Sequence, residues 1–199
     1  AQAARNDPRI LAAARAVFIA DPSAPIASVA ARAGVGIGTL YRRYASKEAL
    51  LRHLSWDGLR RYMAEVEAAL ADDSDPWAAF AAFMRRVVEE DTHALTLRLA
   101  GAFTPTDALY RDAERAHTLT VRLFERTQAA GGLRPDLAVD DLTLLWEQLA
   151  AIHVRDEART RQLRQRYLTL LLDALHAPAS APLPGPPPTW EEIGQRWET

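Results

Sequence analysis

Between residues 26 and 44 the chain reads IASVAARAGVGIGTLYRRY, two helical patterns of about two turns each with only Gly34, Val35 and Gly36 between them. Gly34 can enter the left-handed backbone region that ends a helix, and the chain restarts almost at once, so the second segment must cross the first. Residues 8–20 supply a preceding helix. There Ile10, Leu11, Ala14, Val17 and Phe18 recur at helical spacing, with Asn6 or Asp7 placed to cap and Pro8 tolerated in the first turn. Asp21-Pro22-Ser23-Ala24-Pro25 breaks it. Val29, Val35, Leu40 and Tyr44 fall where they hold the pair against the first helix, and Ala30 is small where helices cross. This is helix-turn-helix geometry.

The rest of the chain is helical too. Ser46-Lys47-Glu48 opens a fourth helix carrying Leu50, Leu51, Leu54 and Leu59. Asp75-Pro76 and Thr106-Asp107 are further helix starts, and Gly131-Gly132 ends a long helix over 106–130. Leu142, Leu145, Trp146, Leu149 and Ile152 form one apolar stripe, and Leu163, Tyr167, Leu170, Leu171 and Leu175 form another. Helices with faces this wide want partners beyond each other. After His176 the segment APASAPLPGPPP predicts an extended, mobile tail, and residues 190–197 (Trp190 to Trp197) one short terminal helical turn. Ala supplies 39 residues and Ile plus Val only 15, which favours helix over strand and predicts an all-α protein.

Composition narrows the chemistry. Without Cys there is no disulfide, thiolate metal site or Cys nucleophile, and a reducing cytoplasm fits best. No apolar run reaches the roughly 18–20 residues of a membrane span, and the first residues lack the apolar core of an export signal. No GxSxG, HExxH or P-loop occurs, and no GxGxxG accompanies GVGIG, so neither enzyme nor cofactor is expected. The rival reading is a di-metal carboxylate bundle built on Glu90-Asp91-Thr92-His93 and Glu114-Arg115-Ala116-His117. Both pairs are flanked by arginines, and the first straddles an expected helix start, so no metal site is assigned.

Charge points elsewhere. Residues 1–62 carry ten Lys and Arg against four Asp and Glu, whereas residues 63–199 carry fourteen against twenty-two. A basic N-terminal piece suits a polyanion. The outward positions of the second short helix are Gly36, Ile37, Gly38, Thr39, Tyr41, Arg42 and Arg43. A hydroxyl, a phenol and two guanidiniums suit a DNA major groove, and Gly38 allows close backbone approach.

The run ASVAARAGVGIGTLYRRYASKEALL resembles the DNA-binding domain of the TetR family of transcriptional regulators, over about residues 9–55. The AGV turn, the TLY triplet and the SKEALL helix start recur together there. The resemblance implies that Tyr41 and Lys47 grip phosphates, that Gly38 and Thr39 lie near bases or backbone, and that Arg43 works at the DNA surface. Ile26 departs from the Thr or Ser common at the start of the second helix, and Ser28 substitutes as a phosphate contact. WAAFAAFMRRVVE, the long helix ending AAGGLRPDLAVDDL, and RYLTLLLDAL are similar to the SbtR-like subgroup.

The resemblance implies an all-α protein with a DNA-binding domain over 1–55, an effector-binding and dimerisation domain over 56–176, and a Pro-rich tail over 177–199. It implies a cytoplasmic homodimer, joined through the helices around 140–153 and 156–175, that binds double-stranded operator DNA, touches no membrane and is released by a small molecule. Candidate linings of the effector pocket are Phe80, Phe83, Met84, Val87, Leu97, Phe103, Leu119, Leu123, Phe124, Trp146, Leu149 and Ile152, with His93, Thr96, His117, Thr120 and Gln148 as polar groups.

Overall fold

The computed structural model describes the backbone of residues 2–90, 99, 103–178 and 181–195, with side chains from residue 7 onward. Among these residues the helices are α1 (Gln2–Ala20), α2 (Ile26–Ala33), α3 (Ile37–Arg43), α4 (Lys47–Ala71), α5 (Pro76–Glu89), α6 (Asp107–Ala129), α7 (Asp141–Ala151), α8 (Glu157–Leu175) and α9 (Trp190–Gly194). A single backbone bridge between Leu133 and His176 is the only β pairing among them. The chain is all-α.

Local chemistry sets most boundaries where the sequence puts them. The Ser46 hydroxyl accepts from the Ala49 amide, the Asp75 carboxylate from Ala78 and the Thr106 hydroxyl from Leu109, so three helix starts have the expected caps. Gly34 and Gly131 take positive φ, 63° and 75°, where α2 and α6 end. The entry into α2 has no side-chain cap, because the capping position is Pro25 and the first helical residue is Ile26, neither of which carries a hydroxyl. One boundary differs: α1 starts at Gln2, and Pro8 lies inside it. Asp7 therefore caps nothing, because its carboxylate faces Arg43 and Tyr44 instead.

Two apolar cores form. Ile10, Phe18, Val29, Leu40, Leu50, Leu51 and Leu54 bury the first four helices against each other, with Leu99 and Phe103 joining from the segment before α6. The second joins Val66 of α4 to Phe80, Phe83, Met84 and Val87 of α5, Leu123 of α6, Trp146 of α7 and Leu168 of α8. α4 contributes to both, so one uninterrupted helix links the head to the body.

Several helix C-termini are closed by arginine. Arg9 Nη2 donates to Ala33 O at 2.8 Å, Arg126 to Ala69 O and Leu70 O at 2.8 and 2.9 Å, and Arg164 to Ala150 O and Ile152 O at 3.0 and 3.1 Å. Arg15 reaches from α1 to Glu90 O at 3.2 Å, just past the end of α5. These bonds satisfy carbonyls that a helix leaves without partners, and they place positive charge at the negative end of the helix dipole.

The tail is tied down at several points. Arg134 Nη2 donates to Ala181 O at 2.6 Å, the Leu183 amide donates to Asp136 at 2.7 Å, and α9 is opened by a reciprocal Thr189–Glu192 capping box. The Trp190 ring lies 4.1 Å from that of His117, and Ile193 is buried. Residues 181–195 thus lie on the body, where the composition alone predicts a mobile chain. Trp197 lies outside the described residues.

Gly34→Ala is expected to destabilise the fold by about 1–2 kcal/mol, the cost of a left-handed Cβ, and that Cβ would stand 3.1 Å from the Arg9 guanidinium that closes α2. Urea unfolding followed by circular dichroism measures the loss.

Candidate functional site

α3 lies with one side in the head core and the other in solvent. Leu40 is fully buried and Tyr44 nearly so, whereas Gly38, Tyr41, Arg42 and Arg43 are exposed and Thr39 is half-buried. Ile37 is exposed as well, a large apolar side chain among polar ones. Arg42 Nη2 donates to the Thr39 hydroxyl at 3.0 Å, linking the two along the face. Beyond its chain neighbours and its own helix backbone, no atom comes within 4 Å of a Cβ built on Gly38, so this stretch is open to a ligand.

The remaining expected residues lie around α3. Ser28 is half-buried on α2. Lys47 opens α4, where its Nζ donates to Pro22 O at 3.0 Å and sits 5.3 Å from the Phe18 ring centroid. The ammonium therefore fastens the turn between α1 and α2 while keeping two N–H donors for other partners. Asp21 stabilises the same turn by accepting from the Ser23 amide and hydroxyl, and these bonds hold its carboxyl below the ordinary range.

The carboxylate of Asp7, which the sequence offers as a helix cap, lies beside this surface instead. Arg43 Nε and Nη2 donate to Asp7 Oδ1 and Oδ2 at 2.9 and 2.6 Å, and the Tyr44 hydroxyl donates to Oδ1 at 2.8 Å. The bond from Arg43 holds the Asp7 carboxyl below the usual range, and burial, followed by the bond to Asp7, pushes the Tyr44 phenol up. The signal was present as an acid one helical turn before Ile10, but its partner stands 36 residues away.

In the body, Phe80, Phe83, Met84, Val87, Leu123, Phe124, Trp146 and Leu149 meet in one core, with Leu119 and Ile152 packed at its edge. Phe103 does not join them. It packs in the head core beside Leu99, while Leu97, His93 and Thr96 lie outside the described residues. Tyr62 is the central residue the sequence reading missed. Its ring meets Phe83 and Trp146 edge-on at centroid distances of 5.7 and 5.8 Å. Its hydroxyl pairs with Thr120 Oγ1 at 2.7 Å, and Thr120 in turn donates to Ala116 O. Tyr62 is thus the donor to Thr120, and burial raises its phenol pKa.

An open groove of about 630 Å³ runs between α4 and α6, lined by Glu67, Leu70, Arg115, Leu119 and Arg122 among others. Of the expected pocket residues it takes only Leu119, and Arg115 and Glu67 pair across it at 2.8 Å. Gln148 is exposed, and His117 pairs with Asp140 at 3.1 Å. Among the described residues no three His, Asp or Glu side chains gather as a metal would need, and no helix is long and apolar enough to cross a membrane. His93, half of the first E-x-x-H pair, is outside that set.

Gly38→Ala is expected to leave the fold intact or stabilise it by about 0.5 kcal/mol, the helix preference of Ala over Gly. A large loss of DNA affinity by fluorescence anisotropy, with the melting temperature kept, would mark Gly38 as a point of close approach. Unchanged affinity would remove it from the contact surface.

Comparison with known proteins agrees with this division. The family model described as "Bacterial regulatory proteins, tetR family" matches residues 10–54, and that described as "Transcriptional regulator SbtR-like, C-terminal domain" matches residues 75–177. A TetR transcriptional regulator from Streptomyces coelicolor is similar at 28% identity and a TM-score of 0.60, over 87% of this chain and 99% of that one. The TetR transcription regulatory protein from Mycobacterium vanbaalenii is similar at 28% identity and a TM-score of 0.57, over 88% and 98%. The TetR family protein CprB from S. coelicolor A3(2) shares the fold at 17% identity and a TM-score of 0.68, over 90% and 92%. Among curated proteins none matches by sequence. With both halves matched by family models and the same helices placing an open α3 beside a closed aromatic body, this chain belongs to the TetR family of transcriptional regulators.

Proposed function

We propose that the protein is a cytoplasmic homodimeric repressor that binds a palindromic operator and is released by a small-molecule effector. The observation that carries this reading is the two-sided α3. Leu40 is spent on the head core, while Ile37, Gly38, Thr39, Tyr41, Arg42 and Arg43 are left to the outside on a basic head. Tyr41, Ser28 and the two spare donors of Lys47 take phosphates and set the register, and the α3 guanidiniums reach base edges.

A second copy of the chain is supported by α8. The face it buries within the chain is Thr160, Arg164, Leu168, Leu172 and Leu175. Tyr167 and Leu170, on the other side, are 48% and 56% exposed. An isologous pairing through α7 and α8 covers them and sets two α3 helices about one DNA turn apart, near 34 Å. The effector acts by population shift, preferring a state whose heads are spaced differently. The Tyr62–Thr120 pair is a polar group inside an otherwise apolar core, and with both hydroxyl protons committed it offers an effector hydroxyl an acceptor.

Selection of DNA from a random pool tests the central reading: a palindrome should be enriched, bound by dimers, with affinity falling steeply as salt rises. A folded protein that enriches no sequence would overturn it. Lys47→Ala should lower affinity on all sequences and reduce the salt slope by about 0.9; an unchanged slope would confine Lys47 to the turn it fastens. Leu170→Glu is expected to yield monomers by sedimentation velocity and to weaken operator binding by at least tenfold while leaving helix content intact.

A further inference from the structure

Asp7 and Arg43 form a pair that the general picture of a basic recognition helix does not account for. A surface arginine left free beside DNA is a mobile cation. It finds a phosphate readily, and it carries side-chain entropy of about 2 kcal/mol into any fixed geometry. Arg43 is not free. Its Nε edge is spent on both oxygens of Asp7, which is itself steadied by the Tyr44 hydroxyl, and Tyr44 is buried in the head core. The guanidinium is thereby fixed to the scaffold although its side chain is 51% exposed.

Two consequences follow from the chemistry of that arrangement. The pair has no net charge, so it displaces few counterions and gains little from a phosphate. Yet of five N–H donors only two are used, and the outer Nη1–Nη2 edge still presents a parallel pair. Such an edge matches the O6 and N7 acceptors of guanine in the major groove, where each bidentate contact discriminates against other bases. Holding it in place beforehand removes an ordering cost that a mobile side chain would meet on binding.

We propose that Asp7 is a specificity-determining positioning residue: by neutralising Arg43 and fixing its outer edge, it makes Arg43 a reader of one guanine per half-site in place of a general phosphate anchor. The inference rests on the DNA-binding reading above and adds the division of labour within it. Lys47, Tyr41 and Ser28 hold the backbone, and the Asp7–Arg43 unit reads a base.

The test uses the full-length protein and the operator that selection yields, with every base substituted in turn at each half-site position. Parent protein should show one guanine position whose substitution costs roughly 5- to 150-fold in affinity, the range of one bidentate contact, and Arg43→Ala should abolish that preference. Asp7→Asn should reduce the same preference severalfold, raise affinity for random DNA, and steepen the dependence of log K on log salt by up to about 0.9, one phosphate gained by a released cation. In the Arg43→Ala background, Asp7→Asn should leave base preference unchanged. A melting curve of each variant, with Asp7→Glu as a second replacement that keeps the charge, separates these effects from loss of fold. An unchanged guanine preference and salt slope in folded Asp7→Asn would overturn the proposal, as would a shift in preference that persists without Arg43. Parent protein that selects no DNA would overturn it together with the regulator reading, whereas a selected operator indifferent to Asp7 would overturn this inference alone.

Discussion

Helices that end inside a protein leave carbonyls pointing at nothing, and the regular structure of the described residues is helical, so its stability depends on how those ends are closed. The recurring answer is a guanidinium. Arg9 closes α2, Arg126 closes α4, Arg164 closes α7, and Arg15 meets the carbonyl just beyond α5. The planar fork suits the task because one side chain can reach two carbonyls at once, adjacent ones at residues 69 and 70 for Arg126 and those of residues 150 and 152 for Arg164. Each of these contacts joins parts of the chain distant in sequence, so a terminal cap is also a tertiary tie. The abundance of arginine, 23 residues against one lysine, thus has a structural use distinct from any charge it offers to DNA.

The same economy governs the two kinds of surface. In the head, α3 gives Leu40 to the core and keeps its polar face clear. In the body, Tyr62, Phe83 and Trp146 pack edge to face with Phe80 tilted against Phe83, and the one hydroxyl within the cluster is satisfied by Thr120. Neither surface is achieved by adding special residues. Each follows from which side of a helix is left over once the interior is filled.

Features written over a few residues were legible in the sequence: the caps at Ser46, Asp75 and Thr106, the turn at Gly34, and the face of α3. Their physics is local, so spacing alone carries it. Features that depend on distant partners were not. Asp7 reads as a cap because nothing nearby shows that Arg43 will claim its carboxylate. Phe103 reads as a body residue because an apolar side chain does not say which of two cores will take it. Tyr62 does not stand out because it lies on the long fourth helix, whose leucines mark only its packing in the head, and nothing local shows that its second half lines the body core. On α8 the leucine stripe is visible, but the face buried within the chain adds Thr160 and Arg164 to Leu168, Leu172 and Leu175, the two polar side chains drawn inward by the carbonyls and amide of residues 150–156.

The continuity of α4 has a mechanical meaning. It spans 25 residues from Lys47 to Ala71 with Leu51 locked in one core and Val66 in the other. Those two anchor points lie about 22 Å apart along the helix axis. A stiff rod gripped at both ends magnifies small rotations: a tilt of about 5° at Val66 carries Leu51 sideways by roughly 2 Å over that length. In the symmetric pair proposed above the two displacements would add, so a tilt of that size would become a misfit of about 4 Å between two heads, more than a hydrogen bond can span.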